Sequence, residues 1–595
     1  MSEYLYPQND ILFSLQSIAR LNRLAPYLED DIGEDLLEAV LGEAGKLAEQ
    51  VIAPINTSGD KEGSRVEDGE VFEAKGFKEA FQAYSEGGWI GLSGAPEYGG
   101  QGLPSCVATA VNEGVQSANL SFSLCPLLSL GSIEAISHHA SDVLKDRYLP
   151  KMLAGEWTGT MNLTEPAAGS DLAAIACKAF PDGVDANNDE IYRIKGQKIF
   201  ITWGDHQMSD NIIHLVLARL PDAPVGVKGI SLFIVPKFLL NEAGEPSERN
   251  DVQVVSVEHK MGIHASPTCV MSFGDQQGAI GYLVGQVNDG IKAMFTMMNN
   301  ARQGVGLQGL AIAERAYQQA LAYAKDRKQG MKADRSGRAA IIEHPDVLRM
   351  MMTMKSQIDA MRSFIYIAAV ENDLSQLATD EQKNKSIART ALYTPIVKGW
   401  ITEQAQEITS LAIQVHGGMG FIEETGVAQH ARDARILPIY EGTNGIQAID
   451  LIGRKLKGDD GAEMKSLLAE IEAELNELSA ADLQQNVEKT LAALGHAKKA
   501  TETCLAAMKE DATLGTGLAY AYMMSIGYLI GAWLQIRAQS SLQDNQLMNA
   551  AQKHSWTHSA NFYCDHILPR ALAYFYTIEQ GQASVGELAE TSFIR

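Results

Sequence analysis

The sequence predicts an α+β fold that is mostly helical and divided into three or four domains. Its 595 residues exceed what one hydrophobic core usually serves. Hydrophobic residues make up 46% and charged residues 21% of the chain, a globular composition that excludes a disordered protein. The hydrophobic period is first helical, then typical of strands, then helical again, so the strands form one block.

The first 150 residues have helical periodicity. Residues 35–53 repeat apolar side chains at helical spacing until Pro54, and a second helical stretch covers residues 106–148. A glycine-rich loop at residues 87–102 (GGWIGLSGAPEYGGQG) separates them. We therefore predict an N-terminal helical domain over residues 1–157, with a short N-terminal extension.

Short segments rich in Ile, Val and Phe follow, separated by clusters of turn residues. They are residues 192–202, 211–220, 229–239, 252–258 and 268–273. Several strands at such spacing indicate a compact barrel or sandwich, and the lack of helices between them argues against a doubly wound parallel sheet. We expect a barrel-like middle β domain at residues 158–277.

The remainder of the chain is again helical. Long periodic stretches at residues 288–327, 345–374 and 384–417 predict a helical domain over residues 278–457. The polar linker KGDDG then leads into an additional helical domain at residues 462–595, whose first helix has one apolar face opposite acidic residues.

The uncharged run at residues 514–536 is long enough to span a bilayer. Glycines, Ser525, Gln535 and four aromatic residues dilute its hydrophobicity. We expect a buried helix in a soluble protein, with membrane association at most peripheral.

Charge and cysteine usage exclude several classes of function. Lys and Arg number 49 against 74 Asp and Glu, so the net charge is −25 and a nucleic-acid partner is not expected. The six cysteines are far apart and form no CxxC pair, which argues against a metal site or a disulfide framework. A cytoplasmic location is expected, since neither a signal peptide at the N-terminus nor a peroxisomal tail at the C-terminal ETSFIR is visible.

A GxGxxG pattern occurs at residues 304–309 (GVGLQG). A dinucleotide site would need a strand before the pattern, whereas the residues on both sides have helical periodicity. We interpret the small residues as a place where a neighbouring helix or a flat ligand approaches closely.

Four other segments carry candidate chemistry. Residues 161–171 (MNLTEPAAGSD) form a turn whose backbone N–H groups and Ser170 could hold a pyrophosphate. Residues 197–204 (QKIFITWG) put Phe200 and Thr202 on one side of a strand, where they could meet a flat ring. Residues 414–421 (QVHGGMGF) form a glycine-rich helix end, and residues 432–447 (RDARILPIYEGTNGIQ) present Glu441 from a loop. Each segment alone also fits an ordinary turn, buried strand, helix cap or surface carboxylate.

Together, these segments resemble the acyl-CoA dehydrogenase family in order and spacing, from about residue 87 to residue 457. The segments YLPKMLAGEWTGTMNLTEPAAGSD, EHKMGIHASPT and IYEGTNGIQ add to the resemblance. The chain looks most similar to the larger bacterial members with an additional C-terminal helical domain, a group that includes methylthiopropanoyl-CoA dehydrogenases. The family fold has an N-terminal helical domain, a middle β domain and a C-terminal four-helix bundle.

The resemblance implies a set of site residues, with Glu441 as the catalytic base. The implied FAD contacts are Leu163, Thr164, Gly169, Ser170, Phe200, Ile201, Thr202 and Thr443. The implied contacts with the FAD of a neighbouring subunit are Arg327, Gln414, Gly417 and Gly418. The implied substrate contacts are Ser170, Asn299, Arg302, Tyr440 and Gly442. Many relatives have Trp at the position of Phe200 and Asp at that of Asn299. The segment after Arg327 is longer than in the smaller family members, which weakens the match of His344 to a cofactor contact.

The implied reaction is FAD-dependent α,β-dehydrogenation of an acyl-CoA thioester to the trans-2-enoyl-CoA, in fatty-acid β-oxidation or related catabolism. Glu441 would remove the α-proton, and partial burial would raise the pKa of its carboxyl group towards the working pH. Flavin N5 would take the β-hydride. The implied partners are an electron-transferring flavoprotein and a second subunit, in a homodimer or a homotetramer. An acyl-CoA oxidase, a dehydrogenase specific for methylthiopropanoyl-CoA and a non-catalytic helical scaffold remain alternatives.

Overall fold

The computed structural model describes residues 4–28, 32–185, 189–478, 480–581, 584 and 590–593. The chain divides into two compact units. One unit comprises Lys46–Gly304, and the other comprises Met1–Gly45 together with Val305–Arg595.

The N-terminal part is helical, as predicted. Its helices are α1 (Gln8–Phe13), α2 (Glu34–Leu47), α3 (Asn56–Glu62), α4 (Phe77–Glu86), α5 (Ser105–Ala118), α6 (Leu120–His139) and α7 (Asp142–Leu153). A small hairpin of β1 (Arg65–Glu67) and β2 (Glu70–Phe72) follows α3. Pro54 does not end the helical path, because it stands at the start of a 3₁₀ turn, where its missing N–H is not needed.

The middle of the chain forms an eight-stranded sheet. Its strands are β3 (Trp157–Asn162), β4 (Lys178–Val184), β5 (Glu190–Thr202), β6 (Asn211–Ala218), β7 (Ser231–Pro236), β10 (Val252–Val257), β11 (Thr268–Phe273) and β12 (Ala279–Val284), and a separate pair consists of β8 (Phe238–Leu240) and β9 (Pro246–Arg249). The strand order is β10-β11-β5-β12-β7-β6-β3. The long strand β5 pairs with β11 at its C-terminal end and with β4 and β12 at its other end.

The sheet continues beyond the end that the sequence suggests. Strand β12 pairs with β5 and β7, so the sheet extends to Val284 rather than to residue 277. The sequence pattern does not reveal β4, since most of its side chains are exposed and it lacks apolar alternation.

The C-terminal part is helical and has two short strands. Its elements are α8 (Gly290–Asp326), β13 (Lys328–Met331), β14 (Arg338–Ala340), α9 (Pro345–Leu377), α10 (Asp380–His416), α11 (Val427–Ala434), α12 (Asn444–Asp450), α13 (Ala462–Glu477), α14 (Gln484–Glu510), α15 (Ala512–Gly517), α16 (Ala519–Ser541), α17 (Ala550–Phe562) and α18 (Pro569–Gln580). The GVGLQG pattern lies inside α8, where Gly306 and Gly309 approach Val397 and Ile401 of α10. These glycines therefore serve close helix packing.

Most of the apolar run at residues 514–536 lies in α16, and this helix is almost entirely buried. The expectation of a buried helix is confirmed. Among the described residues, one helix, α6, is long and apolar enough to cross a membrane, and 78% of its apolar window is buried inside the protein. A core helix of a soluble protein has these same properties.

Candidate active site

A buried ion pair shapes the turn after β3. The Lys198 ammonium lies 2.8 Å from Glu165 Oε1 and donates a hydrogen bond to the carbonyl oxygen of Leu163 at 3.1 Å. The Glu165 carboxylate also accepts hydrogen bonds from the backbone N–H groups of Ala176 and Cys177, at 2.7 and 3.1 Å. The turn is thus held at both ends by a single pair of side chains, neither of which the sequence motifs singled out as functional.

The same arrangement brings two of the predicted flavin segments together. The N–H of Ile199 donates to the carbonyl oxygen of Thr164 at 2.9 Å, so Thr164 lies beside the end of β5. There the register between β5 and β11 shifts, which marks a bulge, and Phe200 has φ +59°. Phe200 is 58% exposed, Ile201 is buried and Thr202 is half-buried.

The turn from Glu165 to Ser170 is open to a ligand. Backbone hydrogen bonds between Glu165 and Ala168 close it, while Gly169 and Ser170 are exposed, and a Cβ at Gly169 would meet no atom within 4 Å. The exposed ring of Phe200 and the hydroxyl groups of Thr164 and Thr202 suit a flavin ring. The accessible turn suits its pyrophosphate. These residues therefore fit FAD.

The predicted substrate residues Asn299 and Arg302 lie one turn apart on α8. Asn299 is exposed, whereas Arg302 is 6% exposed. Next to Asn299, the side-chain amide of Asn300 hydrogen-bonds the buried carboxyl group of Glu134. Burial raises the pKa of Glu134 to about 7, so α6 presents a carboxyl group that titrates near neutrality to this part of α8.

Glu441 stands in a strained loop between α11 and α12. Its φ is +54°, in the left-handed region that residues other than glycine rarely adopt, and Gly442 follows with φ +84°. Gln447 holds this conformation, because its side-chain amide donates to the carbonyl oxygens of Glu441 and Gly442, at 3.2 and 3.3 Å. Thr443 caps α12 by accepting from the N–H of Ile446.

Asn444 fastens the loop to helix α10. Its N–H donates to the carbonyl oxygen of Pro438 at 3.0 Å, which closes the loop that carries Glu441. Its buried side chain accepts from the Lys398 ammonium at 2.8 Å and donates to the Glu403 carboxylate at 2.9 Å. The sequence motif contains Asn444 and Gln447, but their partners are visible only in the folded protein.

Tyr440 is fixed by a hydrogen bond from its phenol to Gln308 of α8. Burial of the phenol, and secondly the neighbouring Glu441 carboxylate, raise its pKa well above the usual value. Tyr440 therefore stays protonated over the physiological pH range and remains a donor.

A second group of predicted residues lies where α8 and α10 end. Tyr323 and His416 stack with ring centroids 4.3 Å apart, which holds the helix end before Arg327 against the one that carries Gln414. Arg327, Gln414, Gly417 and Gly418 are all exposed there. This group is distant from the Glu441 loop, since the eleven residues from Glu403 to Gln414 correspond to about 16 Å of helix.

The long segment after Arg327 is the hairpin of β13 and β14. His344 hydrogen-bonds the carbonyl oxygen of Gln329 at 2.7 Å and lies against Gly330. These contacts give His344 a role in holding the hairpin.

Four family models match the chain in order. They are described as the acyl-CoA dehydrogenase N-terminal domain (residues 35–156), middle domain (160–276) and C-terminal domain (288–457), and as acetyl-CoA dehydrogenase C-terminal like (467–589).

Curated relatives are similar over most of the chain. The chain is 46% identical to a 3-methylmercaptopropionyl-CoA dehydrogenase of Ruegeria pomeroyi, over 89% of this chain and 90% of the relative. It is 38% identical to a butyryl-CoA dehydrogenase of Syntrophomonas wolfei, over 79% of this chain and 78% of the relative.

The fold is also found in solved structures. An acyl-CoA dehydrogenase from Bacillus anthracis complexed with FAD superposes with a TM-score of 0.74 at 20% identity, covering 95% of this chain and 93% of that one. The likeness includes the additional C-terminal helices, because it extends over nearly the whole of both chains.

Proposed function

The chain belongs to the acyl-CoA dehydrogenase family and is an FAD-dependent acyl-CoA dehydrogenase, and we propose that Glu441 is its catalytic base. The observation that carries the proposal is the strained loop at Glu441, which Gln447 and Asn444 hold in place. Backbone strain of this kind persists only where the surroundings enforce it, and it is common where a side chain must be aimed precisely.

The residues proposed to bind FAD lie in the unit that comprises Lys46–Gly304. Phe200, Thr164 and Thr202 hold the flavin ring, and Gly169 and Ser170 hold the pyrophosphate. When bound, FAD supplies the acceptor for the β-hydride.

The proton transfer belongs to the Glu441 loop. The Glu441 carboxylate accepts the α-proton of the thioester. The backbone N–H of Glu441 polarises the thioester carbonyl. Tyr440, Gly442, Asn299 and Arg302 bind the acyl-CoA. Ile201 and Leu163 support the flavin-binding strand and turn. Thr443 follows the base in the loop and caps α12.

We propose short-chain acyl-CoA thioesters as substrates. Relatives at 46% and 38% identity are dehydrogenases of 3-methylmercaptopropionyl-CoA and butyryl-CoA, both of which have short acyl chains. The proposed electron acceptor is an electron-transferring flavoprotein, and the proposed setting is fatty-acid β-oxidation or related acyl-CoA catabolism.

A substrate scan tests both proposals. With an artificial acceptor, kcat/KM should be highest for butyryl-CoA or 3-methylmercaptopropionyl-CoA and at least about tenfold lower for palmitoyl-CoA, because a pocket suited to a short acyl chain would exclude the extra methylenes. Turnover with O₂ alone should be far below turnover with an electron-transferring flavoprotein. Rapid peroxide formation in air would identify an oxidase instead.

We propose that the protein is a homodimer whose partner subunit completes each FAD site. Arg327, Gln414, Gly417 and Gly418 form an exposed group well separated from the Glu441 loop, as expected if they serve the FAD of another subunit. Directly beyond them, Met419, Phe421 and Ile422 are 50%, 87% and 45% exposed. Apolar side chains exposed next to one another favour a protein interface.

Light scattering of the FAD-loaded protein should give the mass of a dimer, and Phe421→Asp should shift it towards the monomer with loss of bound FAD. An exposed charge is tolerated on a free surface but opposes burial against a partner. Phe593→Asp, at an aromatic residue that is 73% exposed, is the matched control and should keep the dimer. A Phe421→Asp protein that stays dimeric and fully loaded would contradict the proposed interface, and a tetrameric wild-type mass would correct the stoichiometry.

We also propose a cytoplasmic location. All six cysteines are free thiols and buried, which suits a reducing compartment.

A further inference from the structure

Helix α17 presents two histidines, His554 and His558, on its solvent-facing side. They are four positions apart, and side chains at this spacing lie on the same face of a helix. Both side chains are exposed, and their Nε2 atoms are 2.9 Å apart. The rings are nearly perpendicular, with centroids 4.2 Å apart. Two imidazole nitrogens are therefore held side by side at the surface.

The opposite side of α17 is fixed by buried contacts. The indole N–H of the buried Trp556 donates to the Asp10 carboxylate at 2.8 Å. The hydroxyl group of the buried Ser559 donates to the Asp359 carboxylate of α9 at 2.6 Å. Because these two contacts hold the same turns of α17 from the inner side, the backbone that carries the histidines is in place before any ligand binds. Such preorganisation lowers the entropic cost of binding.

The distance between the two nitrogens suits a particular coordination geometry. Imidazole nitrogens bind divalent transition metals at about 2.0–2.1 Å. At that bond length, two nitrogens are about 2.8–3.0 Å apart when the angle at the metal is a right angle, and about 3.3–3.4 Å apart when it is tetrahedral. The observed 2.9 Å matches the right angle, which is the geometry of square-planar and tetragonal copper(II) and nickel(II) sites.

The histidine pair supplies only part of a coordination sphere. In the part of the chain that the structure describes, no group of three or more His, Cys, Asp or Glu side chains is arranged to hold a metal ion. A two-ligand site depends on chelation: once one imidazole binds the ion, the second is already present at a high effective concentration. Water fills the other positions, in contrast to a closed structural zinc site with four protein ligands.

We propose that His554 and His558 form a chelating site on α17 for a divalent transition-metal ion, copper(II) or nickel(II), with water as the remaining ligands. The ion links two successive turns of the helix. It binds the folded chain more tightly than the unfolded one, in which the two rings are not held together, and it therefore stabilises the fold. Neither histidine is among the residues proposed to bind FAD or acyl-CoA, so turnover should not change when either is replaced.

Isothermal titration calorimetry of the full-length, FAD-loaded protein with nickel(II) chloride tests the site. One ion should bind per chain. His554→Ala and His558→Ala should each weaken nickel binding at least about a hundredfold, the low end for loss of a second linked contact. His566→Ala is the matched control, since His566 is also exposed but stacks on Phe562 instead of on another histidine, and it should keep the wild-type affinity.

Thermal unfolding gives a second, independent measurement. Saturating nickel(II) should raise the unfolding midpoint of wild type and of His566→Ala, and should leave the midpoints of His554→Ala and His558→Ala unchanged. Nickel affinity and midpoint shifts that are equal in wild type and in both of these variants would overturn the site, because the ion would then bind elsewhere.

A comparison of metals tests the geometry. Titration with copper(II), nickel(II) and zinc(II) chlorides should give the tightest binding for copper and the weakest for zinc, which favours tetrahedral sites. Zinc binding tighter than both copper and nickel would overturn the assignment of a right-angled copper(II) or nickel(II) site.

Discussion

Replacing Glu441 by glutamine should lower turnover by at least about a hundredfold, the low end for loss of a general base. Glutamine nearly preserves the size of the side chain and leaves the loop contacts of Gln447 and Asn444 intact, but it cannot accept the α-proton. FAD content and acyl-CoA binding should therefore stay close to those of wild type. Stopped-flow reduction of the bound flavin, with butyryl-CoA in excess, measures the reductive half-reaction, which requires removal of the α-proton.

Glu441→Asp gives the graded control. The carboxylate is retained but is one methylene shorter, so part of the activity should survive. Glu424→Gln changes an exposed carboxylate that precedes Glu441 in the same part of the chain, and it should leave turnover unchanged. If Glu441→Gln keeps its turnover while Glu424→Gln loses it, Glu441 is not the base.

Local sequence was sufficient to predict the main elements around the candidate site. The turn at LTEPAAGSD and the strand ending in IFIT are encoded by residues close together in the chain, and the structure forms both. Glu441 could be singled out because its segment, IYEGTNGIQ, resembles the family motif, and Pro438 and Gly442 mark the loop that carries it. The end of the β domain was harder to predict from the sequence. Strand β12 follows a turn and is recognised by its pairing with β5 and β7 rather than by its composition.

The supports of the site could not be predicted, because they join residues far apart in the sequence. Lys198 lies 33 positions from Glu165, and Asn444 lies 41 from Glu403. Tyr323 and His416 reveal their contact only when α8 and α10 pack together. The left-handed backbone at Glu441 was also hidden, since glutamate has no preference for that conformation and Gln447 imposes it from the next helix.

Replacing Lys198 by methionine should destabilise the protein strongly and abolish retention of FAD. Lys198 and Glu165 are 0% and 6% exposed at their side chains, so the substitution leaves a buried carboxylate without its cation. Breaking a buried pair in this way typically costs about 3–5 kcal/mol. The lost ion pair holds the turn that presents Thr164, Gly169 and Ser170. The FAD dissociation constant should therefore rise more than about tenfold. Thermal unfolding and flavin content after gel filtration measure the two effects.

Replacing both Lys198 and Glu165 tests whether the unpaired buried carboxylate causes the loss of stability. In Lys198→Met/Glu165→Gln no ionised group is left buried, and the glutamine oxygen can still accept from one of the two N–H groups, of Ala176 or Cys177, that the two carboxylate oxygens bind separately. The double variant should therefore be more stable than Lys198→Met and recover part of its FAD binding. Lys195→Met, the same substitution at an exposed position of β5, should resemble wild type in both measurements. A Lys198→Met protein with wild-type stability and full flavin content would show that the ion pair does not hold the turn. A double variant no better than the single one would assign the loss to the hydrogen bond between Lys198 and the Leu163 carbonyl instead of the buried charge.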